Sequence, residues 1–267
     1  MQTHHERNSY PGDLMTDEEW RIEKEQIYVG GQGITKSERH WYYTATFWRV
    51  AKGFPLRIWR EGYIFKMDSS NNKILAHRKI PFQELGFDHI GDIDFFNGLI
   101  YASLEDIAYS RPRIVLFDEK LSVRDYVDLS DQKHLPWCAV NPEDHLLLSS
   151  EYDPVKYVNF YEIKTQHSAK LVRRLKLSKI LHNVQGGCIH EDELYISCND
   201  QVKGIYRIDL NSGKVFTLLK TKIPYEMEGI CADFNEKPVF HFIDHEGHIY
   251  HARMPTEISE GRLTVTL

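Results

Sequence analysis

Short apolar runs recur along the chain in sets of three or four, separated by polar turns. Trp41-Tyr42-Tyr43-Thr44, Leu99-Ile100-Tyr101-Ala102-Ser103, Leu146-Leu147-Leu148-Ser149, Leu194-Tyr195-Ile196-Ser197 and Val239-Phe240-His241-Phe242 are rich in aliphatic and aromatic residues and too short for helices. Such runs read as strands. Each follows a segment marked by Gly or Pro: Gln32-Gly33-Ile34, Gly91-Asp92-Ile93, Pro136-Trp137-Cys138, Gly186-Gly187-Cys188 and Glu228-Gly229-Ile230. The last residues of these segments stand 59, 45, 50 and 42 positions apart, a mean of 49. A third run follows in every unit, from Tyr63-Ile64-Phe65 in the first to His248-Ile249-Tyr250 in the fifth. Four units show a fourth, over residues 73–80, 122–129, 171–177 and 214–219, and the fifth is completed in this reading by Arg262-Leu263-Thr264-Val265-Thr266.

A repeat of this length with four strands per unit predicts an all-β fold, a five-bladed β-propeller of four-stranded antiparallel blades. Radial repetition leaves only short strand edges exposed, which an irregular sandwich of the same strands would not. Residues 1–24 read as an N-terminal extension and 25–267 as one propeller domain. Two closures of the ring remain open: a short helix at Thr16-Asp17-Glu18-Glu19, which has capping-box chemistry, or a strand from residues 20–29.

The pattern of Gln32-Gly33-Ile34, of Gln185-Gly186-Gly187 with Leu194-Tyr195, and of Glu228-Gly229-Ile230 resembles the blade signature of strictosidine-synthase-like proteins, gluconolactonase-type hydrolases and glutamine cyclotransferases. His89-Ile90-Gly91-Asp92-Ile93-Asp94 and Pro136-Trp137-Cys138-Ala139-Val140-Asn141-Pro142 depart from it. Several of these families have six blades where five are counted here. The resemblance implies a propeller with a ligand or metal at its centre.

Composition narrows the partners. With 33 Lys and Arg against 39 Asp and Glu, the net charge is −6, the wrong sign for neutralising nucleic-acid phosphates. No apolar run approaches the ~18 residues of a membrane span, and 42 % apolar residues suffice for a globular core. Cys138, Cys188, Cys198 and Cys231 form no C-x-x-C pair and fall in or beside predicted inner strands, where a thiol packs as a small hydrophobe. The first residues carry no apolar signal core, which leaves the compartment open.

Loops leading into inner strands and loops joining second to third strands share one face of a propeller, and that face is polar here. His89 and Asp92, His134, His182, Asn183 and Gln185, Glu226 and Glu228, and Gln32 come from the first set. Glu105-Asp106, Glu151-Tyr152-Asp153, Asn199-Asp200 and Asp244-His245 come from the second. Oxygen groups converging from several blades suit a hard cation, Ca²⁺ or Mg²⁺, with Asp92, Glu228, Gln32 and Asn183 as ligands. The competing reading is that each acid turns its own loop through an Asx bond. His89, His134 and His182 are the acid–base candidates. The run from Phe47 to Arg60 reads as a long connection able to cover a sugar-like or anionic ligand through Trp48, Arg49, Arg57, Trp59 and Arg60, with Trp137 and Gln185 completing the binding set. His241, His245, His248 and His251 have helical zinc spacing, but their neighbours favour a hairpin with His241 and His248 on one face and His251 on the other. Two functions follow: a small-molecule-processing enzyme, hydrolytic (lactone or ester) or cyclising, or a non-catalytic module recognising a carbohydrate or a protein.

Overall fold

A computed structural model describes residues 20–27, 30–51, 57–106, 108–164, 167–234 and 238–253. After β1 (Arg21–Gln26) come β2 (Gly33–Lys36), β3 (His40–Ala51), β4 (Arg57–Asp68) and β5 (Ile74–Lys79), which form blade 1. Blade 2 contains β6 (Phe87–Phe96), β7 (Leu99–Asp106), β8 (Arg113–Asp118) and β9 (Val123–Asp128). Blade 3 contains β10 (Ala139–Val140), β11 (Leu147–Ser149), β12 (Val155–Ile163) and β13 (Ala169–Leu181). Blade 4 is built from β14 (Val184–His190), β15 (Glu193–Cys198), β16 (Gly204–Asp209) and β17 (Val215–Lys220). In blade 5, β18 (Met227–Asp233), β19 (Val239–Asp244) and β20 (His248–Arg253) are joined by β1, in the order β1-β20-β19-β18. The protein is a five-bladed propeller of antiparallel four-stranded sheets.

The ring is closed by the N-terminal strand. Ile22 pairs with Ala252 and Glu23 with His251, and Ile22 is buried between blades 4 and 5. The outer place expected for Arg262–Thr266 is therefore taken by Arg21–Gln26; residues 254–267 and the Thr16–Glu19 helix lie outside the described residues. Strand β1 also spans the 24/25 boundary expected for the domain. Alternation alone cannot say which terminus supplies a last strand, because both segments carry it.

Each blade is held to its neighbours by apolar side chains from both faces. In β7, Ile100, Ala102 and Leu104 pack toward blade 1 while Tyr101 packs toward blade 3; in β15, Leu194 and Ile196 face blade 3 and Tyr195 faces blade 5. Strands buried on both faces read as continuous apolar runs, which is the pattern the sequence displays. Clusters fill all five seams, including the one between blades 5 and 1, where Ile34, Tyr43 and Phe65 meet Ile243 and Ile249. All four cysteines are free and buried.

The recurring Ser or Thr of the second strands serves the innermost backbone. Thr44 donates to the Gly91 carbonyl (2.7 Å), Ser103 to that of Asp92 (2.8 Å), Ser149 to that of Trp137 (2.6 Å) and Ser197 to that of Glu228 (2.6 Å). On the axis sits Asp92. Its carboxylate, fully buried, accepts backbone N–H groups from three other blades: Ile34 (3.0 Å), Gly187 (3.0 Å) and Ile230 (3.2 Å). The repeated glycines follow from this plug. A Cβ on Gly33 would lie 2.5 Å from the Asp92 Cα, one on Gly186 2.6 Å from its Oδ2, and one on Gly229 would overlap its Oδ1.

Candidate functional site

A cavity of about 450 Å³ opens where the segments leading into the inner strands converge, and every blade contributes to its wall. Two polar corners and an aromatic rim make up its lining.

The first corner is organised by Glu105, the penultimate residue of β7 and almost fully buried. Its Oε2 lies 3.1 Å from His89 Nδ1, while its Oε1 lies 3.3 Å from His134 Nδ1 and accepts the Leu135 N–H at 2.6 Å. On its far side His89 Nε2 stands 2.7 Å from Gln32 Oε1. Burial alone would raise the Glu105 pKa, but the hydrogen bonds from His134 and His89 outweigh it and hold the carboxyl at about 2. The same bond to Glu105, set against partial desolvation, raises the pKa of His134. One carboxylate thus orients two imidazoles and keeps His134 inclined to carry its proton.

The second corner is acidic. Glu228, at the start of β18, is buried, and its Oε1 accepts from Gln32 Nε2 at 3.3 Å; Glu226 Oε1 accepts from Gln185 Nε2 at 3.0 Å. His245 Nδ1 is 4.0 Å from Glu228 Oε1, and its backbone N–H donates to the Glu226 carbonyl at 3.0 Å. Burial, reinforced by the charges of Glu226 and Asp92, pushes the Glu228 pKa well above the carboxylate range. Glu226, Glu228 and His245 place one ligand atom each within 4.8 Å of one another, a group that could hold a metal ion.

The rim is formed by Trp48, Arg60, Tyr109 and Tyr152. Arg60 is gripped by Asp88 through Nε (3.2 Å) and Nη2 (2.8 Å) and donates from Nη1 to the Tyr109 hydroxyl at 3.2 Å. The Tyr109 ring stands 4.6 Å from that of His134. Burial, followed by the charges of Glu226 and Glu228, moves the Tyr152 phenol up to about 12.

Of the residues singled out from the sequence, His89, His134, Gln32, Gln185, Glu228, Trp48 and Arg60 line this cavity. The others are placed elsewhere. Asp92 spends both carboxylate oxygens on backbone N–H donors, so it is a structural plug in this geometry. His182 pairs with Asp153 at 2.7 Å on the surface, and Asn183 bonds the Asn199 carbonyl at 3.4 Å. Trp137 is fully buried, its Nε1 bonded to Ser150 Oγ at 2.9 Å and its ring packed against Gly187. The stretch read as a loop from Phe47 to Arg60 is largely strand, and period-2 alternation divides its residues between two faces. Arg49 and Trp59 therefore point away from the cavity and bond Glu61 at 3.0 and 3.1 Å. Arg57 opens β4 opposite Ala51, and its side chain lies outside the described residues.

Glu105, Glu226 and His245 belong to the polar loops recognised in the sequence, yet nothing there separates them from Asp106 and Asp200, which do turn their own loops. Tyr109, with a left-handed backbone at φ 49°, carries no signal in the sequence, and Tyr152 enters only as the middle of the loop Glu151-Tyr152-Asp153. The histidine hairpin differs from expectation. His241 and His251 are cross-strand partners on the same face, with Nδ1 atoms 2.7 Å apart, whereas His248 bonds Asp244 on the other.

No protein-family model matches the chain, and a search of curated proteins finds no match. Solved structures do match. The glutaminyl cyclase of Myxococcus xanthus superimposes with a TM-score of 0.63 at 9 % identity, over 88 % of this chain and 94 % of that one. A luciferin-regenerating enzyme gives 0.55 at 13 % identity over 88 % and 97 %, and a proposed gluconolactonase 0.53 at 9 % over 91 % and 94 %. At these identities the likeness is one of fold. It agrees with the glutamine-cyclotransferase and gluconolactonase resemblance of the blade pattern, and these neighbours carry the names of enzymes.

Proposed function

We propose that the chain is an enzyme that transfers an acyl group within or from a small molecule, by ring closure onto an internal amine or by hydrolysis. The observation that carries this reading is the pair of carboxyls in one cavity displaced in opposite directions: Glu228 upward by burial and by Glu226, Glu105 downward by two histidines. Titratable groups pushed apart in this way mark a site with acid and base functions: Glu105 acts through His134, and Glu228, uncharged, leaves the neighbouring Glu226 to take a proton. The nucleophile, an amine or a water, rests against Glu226 and Glu228. As its nitrogen or oxygen bonds to the carbonyl carbon, its proton passes to the Glu226 carboxylate. His134, its pKa raised by the Glu105 carboxylate, faces the carbonyl oxygen in its protonated form and then gives its proton to the leaving group as the carbon–leaving-group bond breaks. Tyr109 covers one side of the His134 ring. The name of the Myxococcus xanthus neighbour supports ring closure, and that of the proposed gluconolactonase supports hydrolysis.

The corner of Glu226, Glu228 and His245 also fits a divalent ion, which when bound would polarise the carbonyl oxygen. The donor set differs from the Ca²⁺ site expected from the sequence. Two carboxylates and one imidazole suit a transition metal better than a cation that prefers oxygen throughout. Glu226, Glu228 as the deprotonated carboxylate, and His245 would hold such an ion, with Gln32 and Gln185 orienting the two carboxylates.

The test is a panel of esters, lactones and ω-amino amides offered to the wild type, His134→Ala and Glu228→Gln. Turnover that falls by about 10²-fold or more in His134→Ala is expected of a lost general acid. No turnover by the wild type, with retained binding of panel members, would favour the recognition module instead.

A further inference from the structure

The hairpin of β3 and β4 runs past its own blade. β2 pairs with β3 only as far as Thr44 and β5 meets β4 only from Tyr63, but the β3–β4 ladder continues to Ala51 and Arg57. Alternation places Thr46, Trp48 and Val50 on one face, opposite Gly62, Arg60 and Ile58. Thr46, Trp48 and Arg60 line the cavity. Val50 and Ile58, directly paired, carry the same face outward by about 7 Å, two residues of strand. Trp48 is 67 % exposed, and Val50 and Ile58 are 58 % each, an apolar ledge continuous with the cavity mouth. The opposite face is already satisfied, since Glu61 accepts from Arg49, Trp59, Tyr63 and Lys79.

The cavity behind the ledge selects charge. Arg60 is matched by Asp88 and Glu105 by its histidines, while Glu226 and Glu228 receive hydrogen bonds from neutral glutamines. A cationic head is the complement of the Glu226 carboxylate, with protonated Glu228 offering an acceptor oxygen beside it, and the face of Tyr152 suits an ammonium group, since Arg60 already lies 5.8 Å from the ring centres of Trp48 and Tyr109. We propose that the substrate is an amphipathic amine, its amino group held at Glu226 and Glu228 and its apolar tail laid along Trp48, Val50 and Ile58. This rests on the acid–base reading above and adds the substrate class to it: the bound ammonium first loses one proton to solvent, and the resulting amine attacks the carbonyl carbon as Glu226 takes the next.

Binding of n-propylammonium, n-hexylammonium and hexanoate, followed by intrinsic tryptophan fluorescence, tests the proposal without requiring turnover. Burial of a methylene is worth about 4-fold in affinity when complete and roughly 2-fold when one side stays wet, so three added methylenes predict a gain of roughly 8- to 64-fold from propyl to hexyl. Hexanoate should bind at least 10-fold more weakly than hexylammonium. Val50→Ser combined with Ile58→Ser, both on the surface, should flatten the dependence on tail length, with hexylammonium losing far more affinity than propylammonium; Trp59→Ser, on the other face, should leave the dependence intact. Equal binding of propyl and hexyl amines, retention of the length dependence in the double variant, or hexanoate binding as well as hexylammonium would overturn the assignment. Tail-dependent amine binding in a protein that turns over no carbonyl compound would sink the reaction and keep the ledge. Turnover with no tail dependence would do the reverse.

Discussion

Replacing Asp92 with alanine should destabilise the whole ring. The side chain is fully buried and satisfies N–H groups of Ile34, Gly187 and Ile230, so one substitution leaves three donors from three blades without a partner in the interior. Each such donor costs about 1–3 kcal/mol, which gives a loss of roughly 3–9 kcal/mol against a typical total stability of about 5–15. Asp92→Asn keeps one acceptor oxygen and should lie between the wild type and alanine. Denaturant unfolding followed by tryptophan fluorescence and by circular dichroism measures the change. A loss under about 1 kcal/mol with an unaltered m-value would refute the view that Asp92 ties the blades together at the axis.

Other expectations concern charge. Glu105→Gln removes the partner that raises the pKa of His134, so His134 should titrate at lower pH in the variant, and the alkaline limb of any rate profile should move with it. Glu228 has a folded pKa above its unfolded value of about 4.3, so the stability it permits is present at low pH and is lost as pH rises through the folded value; Glu228→Gln should flatten that decline in urea midpoints. Burial holds His241 below its ordinary pKa, and its Nδ1 already faces that of His251 at 2.7 Å. The unfolded chain therefore binds the proton more readily, stability falls as pH drops below about 6.5, and His241→Phe should lessen the loss between pH 7 and pH 5. If the acidic corner binds metal, Zn²⁺ or Mn²⁺ should raise the melting temperature of chelator-treated protein more than Ca²⁺ does, and His245→Ala should abolish the rise.

The propeller was legible because each second strand is buried on two faces. Leu99–Ser103 and Leu194–Ser197 show this as apolar runs ending in the hydroxyl that bonds an inner carbonyl. The anchor glycines were visible too, but their cause was not. They make room for a side chain that lies 59 residues after Gly33 and 94 before Gly186, a contact with no local signature. Asp92 and Glu228 look alike in sequence, each next to a glycine before an inner strand. One faces three backbone donors and the other a cavity, a difference only the assembled ring creates. Glu105 is obscured by its position at the end of an apolar strand, and the length and Gly-Pro content of residues 47–60 point to a loop where the chain forms a hairpin, which hides the true faces of Arg49 and Trp59. Once that segment is strand, alternation assigns Trp48 and Arg60 to the cavity and sends the other two away.

Titration of carboxyl carbons in protein labelled at glutamate tests the central claim most directly, with Glu105→Gln and Glu228→Gln used to assign the signals. Glu105 should remain ionised down to about pH 2, and Glu228 should stay protonated well above the usual carboxylate range. Both groups titrating near the ordinary value of about 4.3 would contradict the division of acid and base roles in the cavity.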